Sequence, residues 1–359
     1  FRIAIIIYIL VYMSKIMIYF GVFLLSFLVA YFMVPINCRL SKKFGIIDYP
    51  RERRIHQVPT PKSGGISLFI GLVVSQFVLV LFGFQEFNNL FMGLICGGFF
   101  IIVLGLLDDI YNLRPWEKIV VEIIIVLFMI ILGFKIRLIT NPFGPSVNVG
   151  VFSIPLTIIW FLLIINSINL IDGLDGLATG IAAIVALILG IASIVCCNIF
   201  IAYFAFSIFG SCLAFLKYNF HPAKIFLGDT GSLYLGFNIA AISVAGNIQF
   251  KGTTAMTMLI PIIVLFLPLI DTILAIIRRL KSSNGIFQAD KNHLHHKMLD
   301  IGLPYKTVVF IGYFLTFLFG IISMGFLMVD KKFLVSLLFI LGSIIFIIFY
   351  NIIKRDFFK

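Results

Sequence analysis

Asp108 and Asp109 stand side by side in GLLDDIYNLRPWEK (105–118), where a long apolar run ends. Two adjacent carboxylates near lipid are costly unless a cation or a basic partner stands beside them. They suit a metal or phosphate-handling site in which one carboxylate works as general base. A second cluster, NSINLIDGLDGLATG (166–180), spaces Asn166, Asn169, Asp172 and Asp175 three residues apart. On a helix that spacing keeps all four near one face, and Gly173 and Gly176 permit a tight backbone. Such side chains accept from ribose hydroxyls, donate to carbonyls or hold the water shell of a metal.

Three further stretches carry candidate groups. In KIFLGDTGSLYLG (224–236), Asp229 lies between glycines where an apolar segment begins. The free N–H groups of that helix start favour an anion. Asp229 itself suits Mg2+, which takes carboxylates, water and phosphate oxygens, or a plain N-cap. GxxxxGK[ST] is absent, so this is not a P-loop. In DKNHLHHKML (290–299), His293, His295 and His296 occupy four positions. Without HExxH or cysteines that spacing is poor for zinc. In a basic loop the histidines are expected to bind or protonate phosphate oxygens. RRIHQVPTPKSGG (53–65) is basic, contains His56 and two prolines, and is suited to attract an anionic substrate or lipid head groups.

The elements that must position these groups are membrane helices. The 359 residues are 62% hydrophobic and only 12% charged, half the charge of an ordinary soluble domain. Leu334 to Tyr350 has no charge at all. Runs approaching the ~20 residues that cross a bilayer must satisfy their backbone internally, and without strict alternation they are helices. The expected fold is an all-α, polytopic transmembrane bundle of about eleven spans, near 16–37, 65–84, 89–107, 117–134, 153–171, 177–197, 199–216, 231–248, 253–277, 306–329 and 333–353. Residues 16–353 are expected to form one transmembrane domain. Residues 1–15 are an N-terminal extension or the outer end of the first helix, and 354–359 a cytoplasmic tail. KIRLIT and VNVGVF flank NPFGPS and predict a short outer hairpin.

With eleven spans, 20 of the 27 Lys and Arg residues fall on one side, helix-edge Lys118 included. By the positive-inside bias that side is the cytoplasm. All five histidines and Asp108, Asp109, Asp172, Asp175 and Asp229 lie there too. The net charge of +12 is therefore read as topology, and nucleic-acid binding is excluded. The five cysteines are odd in number, sit in or beside apolar runs and read as small core residues. Carboxylates, a divalent cation and basic groups at one membrane face suit attack at phosphorus, where positioning and charge neutralisation dominate.

PTPKSGG, LLDD, NLIDGLDGLATG, FLGDTGS and NHLHH, in this order, resemble the polyprenyl-phosphate N-acetylhexosamine-1-phosphate transferases, the bacterial group that includes the MraY and WecA/TagO types. The resemblance implies that a lipid phosphate attacks a UDP-sugar in the inner (plasma) membrane, with the active site facing the cytoplasm. UMP leaves, a lipid-diphosphate sugar remains, and Mg2+ is required, with Mn2+ as a substitute. It makes Asp229 a Mg2+ ligand, and gives Asp108 or Asp109 the role of base or metal holder. It sets Asn169, Asp172 and Asp175 against nucleotide, diphosphate or metal, with Asp172 taken as a second metal ligand. His293, His295 and His296 would contact the diphosphate or sugar, and Lys118 would lie near the phosphates. DKNHLHH is similar to the D-R-x-H-x-H-H of GlcNAc-type members, with Lys291 in place of Arg, which favours UDP-GlcNAc and undecaprenyl phosphate. Phospho-MurNAc-pentapeptide transfer is the alternative within the family, and a homodimer is a further expected partner state. A proton-coupled transporter of an anionic solute is the rival outside it, with Asp271 and Glu122 as its deeper carboxylates. An intramembrane metalloprotease is disfavoured because HExxH is missing.

Overall fold

The structure is a computed structural model that describes residues 2–49, 58–139, 147–248, 259–281, 293–325 and 342–343. It is built from helices that pack side by side. In chain order they are α1 (Arg2–Lys43), α2 (Gly65–Leu81), α3 (Asn89–Tyr111), α4 (Pro115–Ile131), α5 (Ser153–Ile171), α6 (Leu177–Val195), α7 (Ile199–Asn219), α8 (Gly228–Ile248), α9 (Leu259–Val264), α10 (Phe266–Lys281), α11 (Leu294–Asp300) and α12 (Tyr305–Gly325). Among the described residues, six helices are long and apolar enough to cross a membrane. The chain is a multi-pass helical membrane protein.

Helix α8 forms the axis of the bundle. Every residue from Gly231 to Ala245 is buried, against α3 and α5 chiefly, with α2, α6 and α7 beside them. A helix enclosed by protein on all sides tolerates polar residues that find partners there. Asn238 donates to the Tyr234 carbonyl, and Ser243 accepts from the Trp160 indole N–H. Glycines let α2 and α3 close on the first turn of α8. A Cβ on Gly105 would lie 2.5 Å from Thr230 Cα, and one on Gly65 2.3 Å from the Thr230 carbonyl oxygen.

The α3–α4 corner is fixed by local chemistry. Asn112 ends α3 in the left-handed region (φ 52°), which Asn tolerates better than most residues. Pro115 opens α4, and the Glu117 carboxylate accepts the Arg114 N–H at 2.8 Å. This corner sets Asp108, Asp109 and Lys118 close together.

Helices occupy ten of the eleven stretches expected to span. The eleventh, 333–353, lies outside the described residues except for Gly342 and Ser343. The stretch 253–277, expected as one span, is instead broken at Leu265 into α9 and α10. Pro268 has no N–H to offer the Val264 carbonyl, and its ring crowds the preceding turn. The expected hairpin is present as β3 (Leu138–Ile139) paired antiparallel with β4 (Val147–Asn148). A second two-stranded pair, β1 (Ile47–Asp48) with β2 (Thr60–Pro61), was not expected. Its residues lie in a segment whose polar composition signals only loop.

Candidate active site

The PTPKSGG segment is tied to the segment entering α8. Phe226 N–H donates to the Pro61 carbonyl at 2.8 Å, and Gly64 N–H donates to the Phe226 carbonyl at 3.1 Å. From α1, Asn37 donates to the Ser63 carbonyl at 2.7 Å. Lys62 is thereby held with its ammonium 3.7 Å from Asp109 Oδ1.

Asp109 is almost completely buried and closes the N-terminus of α8 from a neighbouring helix. Its Oδ1 accepts the Asp229 N–H at 3.1 Å. Its Oδ2 accepts the Thr230 N–H at 3.0 Å and the Thr230 hydroxyl at 2.5 Å. Free N–H groups at a helix start favour such an anion. Gly228 makes room for it: its φ is +69°, and a Cβ there would lie 2.7 Å from Asp109 Oδ2.

Asp108 points to different partners. Its Oδ1 accepts the Leu113 N–H at 2.8 Å, and its Oδ2 meets Lys118 Nζ at 2.5 Å. Lys118 also donates to Asp229 Oδ1 at 3.1 Å. Asn169 Nδ2 donates to that same oxygen at 2.6 Å and to Ser232 Oγ at 2.8 Å. Asp229 is the most accessible of these groups, its side chain 32% exposed, and no described residue donates to its second oxygen.

Asp172 caps the C-terminal end of α5, and no described residue donates a hydrogen bond to its carboxylate. Burial, followed by the charges of Asp229, Asp109 and Asp175, holds its carboxyl well above the usual carboxylate range. Asp108, Asp109 and Asp229 thus surround Lys62 and Lys118, and the crowding of Asp172 by Asp229 and Asp109 is a strain that a divalent cation would relieve. Asp229 and Asp172 have carboxylate oxygens that accept from no described residue, and these could hold it. Among the described residues no three His, Cys, Asp or Glu side chains form a closed metal cage. Mg2+ does not need one, because it usually keeps several waters and binds one or two carboxylates plus substrate phosphates.

The other candidates occupy distinct places. Asn166 donates to Glu122 Oε2 and to the Leu162 carbonyl, both at 2.9 Å. Glu122 lies one turn beyond Lys118 on α4, and Asn166 one turn before Asn169 on α5. Their bond braces the two helices below the point where Lys118 and Asn169 converge on Asp229. Asn166, expected to contact substrate, thus has its Nδ2 engaged within the protein. Asp175 is likewise engaged: its Oδ2 accepts the Ala223 N–H at 3.1 Å and lies 2.9 Å from His221 Nδ1. Tyr305 stacks on His221, and its hydroxyl accepts the Asp175 N–H. His56 lies outside the described residues.

His293 precedes α11, and its Nδ1 is 2.9 Å from Asp271 Oδ2. His295 rests on the α5–α6 loop, where a Cβ on Gly173 would lie 2.3 Å from its Nε2. Burial and the neighbouring His296 push the His295 imidazolium down to about 3. Its ring is therefore neutral near pH 7. His296 stacks obliquely on His295.

Lys62, Glu122, His221 and Asp271 were not singled out as site residues from the sequence. Lys62 had a usable signal, because it is the basic residue before the paired glycines of PTPKSGG. Glu122 and Asp271 were read only as the deeper carboxylates of a rival transporter, and His221 is recognisable only through its partner Asp175.

Residues 91–247 match the model of the glycosyl transferase family 4. The chain is 36% identical over 300 residues to a probable undecaprenyl-phosphate N-acetylglucosaminyl 1-phosphate transferase of Bacillus subtilis, an alignment covering 83% of this chain and 82% of that protein. The chain belongs to glycosyl transferase family 4. A second member, the decaprenyl-phosphate N-acetylglucosaminephosphotransferase of Mycobacterium tuberculosis, is 33% identical over 326 residues, covering 83% of this chain and 79% of the relative. A phospho-N-acetylmuramoyl-pentapeptide-transferase of Clostridioides difficile is 29% identical over 327 residues, 84% and 95% of the two chains. The part matched to the family model contains Asp108, Asp109, Lys118, Asn169, Asp172 and Asp229. The proline-serine-glycine segment with Lys62 and the histidines of α11 lie outside it.

Proposed function

We propose that this family 4 glycosyl transferase moves GlcNAc-1-phosphate from UDP-GlcNAc to undecaprenyl phosphate and releases UMP. This is the first membrane step in building a cell-envelope glycan. The observation that carries the reading is the convergence of Lys118 and Asn169 on one oxygen of Asp229, in a chain whose relatives bear N-acetylglucosaminyl 1-phosphate transferase names. Two donors on Oδ1 hold the Asp229 side chain still and leave Oδ2 open toward a cation.

An oxygen of the lipid phosphate attacks the sugar-bearing phosphorus of UDP-GlcNAc. The bond from that phosphorus to the bridging oxygen breaks, and the bridging oxygen leaves with UMP. Asp109 is saturated by donors, so Asp108 takes the base role: the lipid phosphate proton passes to Asp108 Oδ2, beside Lys118. Lys62 and Lys118 offset charge on the phosphates. Asp229 and Asp172 would hold Mg2+, which would supply charge neutralisation at the phosphate oxygens. The working face is cytoplasmic in this reading, an orientation supported by the charge bias of the loops for the expected eleven spans.

The test is UMP release and lipid-linked sugar formation by purified protein with undecaprenyl phosphate, Mg2+ and UDP-GlcNAc. Product from UDP-MurNAc-pentapeptide alone would assign the chain to the alternative donor.

A further inference from the structure

Asp271 is buried on α10, about one and a half turns past the break at Leu265 that sets the direction of that helix. Both of its carboxylate oxygens are used. Oδ1 accepts the Leu294 N–H at 3.1 Å, and Oδ2 lies 2.9 Å from His293 Nδ1. Facing an ionised carboxylate, which has no proton to give, His293 Nδ1 would donate, and the ring would be held in one tautomer with Nε2 as its remaining nitrogen. The same ring lies parallel to His295, with centroids 5.8 Å apart and planes 6° apart. His295 in turn rests on Gly173 in the loop beside Asp172. Asp271, His293, His295 and Gly173 thus form a continuous line from the inside of α10 to the carboxylate loop.

We propose that Asp271 is a positioning residue for the transfer reaction: it fixes the tautomer and direction of His293, so that Nε2 meets the diphosphate of the sugar nucleotide. The proposal rests on the phosphosugar-transferase reading above. A buried carboxylate behind an imidazole acts by orienting it, as in carboxylate–histidine pairs at metal and acyl-transfer sites. Nothing in the rival role of a proton relay requires both oxygens to be occupied by donors from one short helix start.

The test is a double-mutant cycle on the purified full chain, assayed by UMP release. Asp271→Asn keeps the volume, but its amide presents either an acceptor or a donor to Nδ1 and no longer selects a tautomer. It is expected to lower kcat roughly 10- to 100-fold, the range for losing a carboxylate behind a working imidazole, while KM for UDP-GlcNAc moves less than about threefold. Asp271→Glu retains charge and acceptor and is expected to recover at least part of the lost kcat. His293→Gln lowers kcat by itself, and adding Asp271→Asn is expected to lower it no further, because the two residues act as one unit. Independent multiplication of the two losses overturns the proposal, as does a wild-type kcat in Asp271→Asn. If Asp271→Asn does not fold, Asp271→Ser, which also removes the carboxylate, gives the same comparison alone and combined with His293→Gln. A wild-type chain inactive with every UDP-HexNAc donor contradicts the transferase reading itself; an active wild type with additive variants contradicts only the role of Asp271.

Discussion

Asp109 and Thr230 are joined by two hydrogen bonds, because one carboxylate oxygen accepts both the N–H and the hydroxyl of the threonine. That pairing divides the labour between two adjacent acids. Asp109 serves the start of α8, whereas Asp108 faces Lys118. Asp109→Asn should lower the thermal midpoint in detergent, by the equivalent of ~1–3 kcal/mol for a buried donor left unmatched. Asp108→Asn should leave the midpoint within a few degrees of wild type and reduce turnover about 100-fold or more. Equal loss of stability in both variants would contradict this division.

Gly173 carries His295 on its bare Cα. Gly173→Ala places a methyl group where the imidazole Nε2 now lies, so the ring must swing away. Turnover should fall roughly tenfold or more, the scale of a misplaced site group. The thermal midpoint should hardly change, because the contact lies at a loop. Wild-type turnover in Gly173→Ala would show that the position of His295 is irrelevant.

The parts visible in the sequence and the parts hidden from it divide on a physical line. The apolar runs, the β3–β4 hairpin and the polar clusters were legible, because each is written in neighbouring residues. The break at Leu265 was partly written, in Pro268. What was hidden depends on pairing across the fold. Asp175 meets a histidine 46 positions away, and Asp271 meets one 22 positions away. The i, i+3 spacing of Asn166, Asn169, Asp172 and Asp175 predicted a shared face. It carried no information on whether each faced substrate, Glu122 or His221. Adjacent aspartates likewise gave no sign that one is a cap.

His295 makes acid sensitivity predictable. An unfolded histidine titrates near 6.5, whereas the buried one is pushed down to about 3. Between those values the unfolded chain holds a proton that the folded chain does not. Stability from this group is therefore full above about pH 6.5 and declines as pH falls toward 3. His295→Gln should weaken the loss of thermal stability between pH 7 and pH 4.5 by the equivalent of about 1–3 kcal/mol. An unchanged pH slope would show that the imidazole is not held neutral.

Asp229→Asn should reduce turnover to background while expression and thermal midpoint stay near wild type, because the side chain is accessible rather than part of the core. In the wild type, removal of Mg2+ with a chelator should abolish activity and its return should restore it. Isothermal titration should show weaker Mg2+ binding in both Asp229→Asn and Asp172→Asn. Full binding in both variants would place the cation elsewhere.

The most direct measurement supplies purified protein with undecaprenyl phosphate, Mg2+ and a panel of UDP-sugars, and follows UMP and lipid-linked product together. UDP-GlcNAc should yield both in equal amounts, and Asp229→Asn should yield neither. Absence of UMP and of lipid product with every UDP-HexNAc donor would contradict the assignment of this site to phosphosugar transfer.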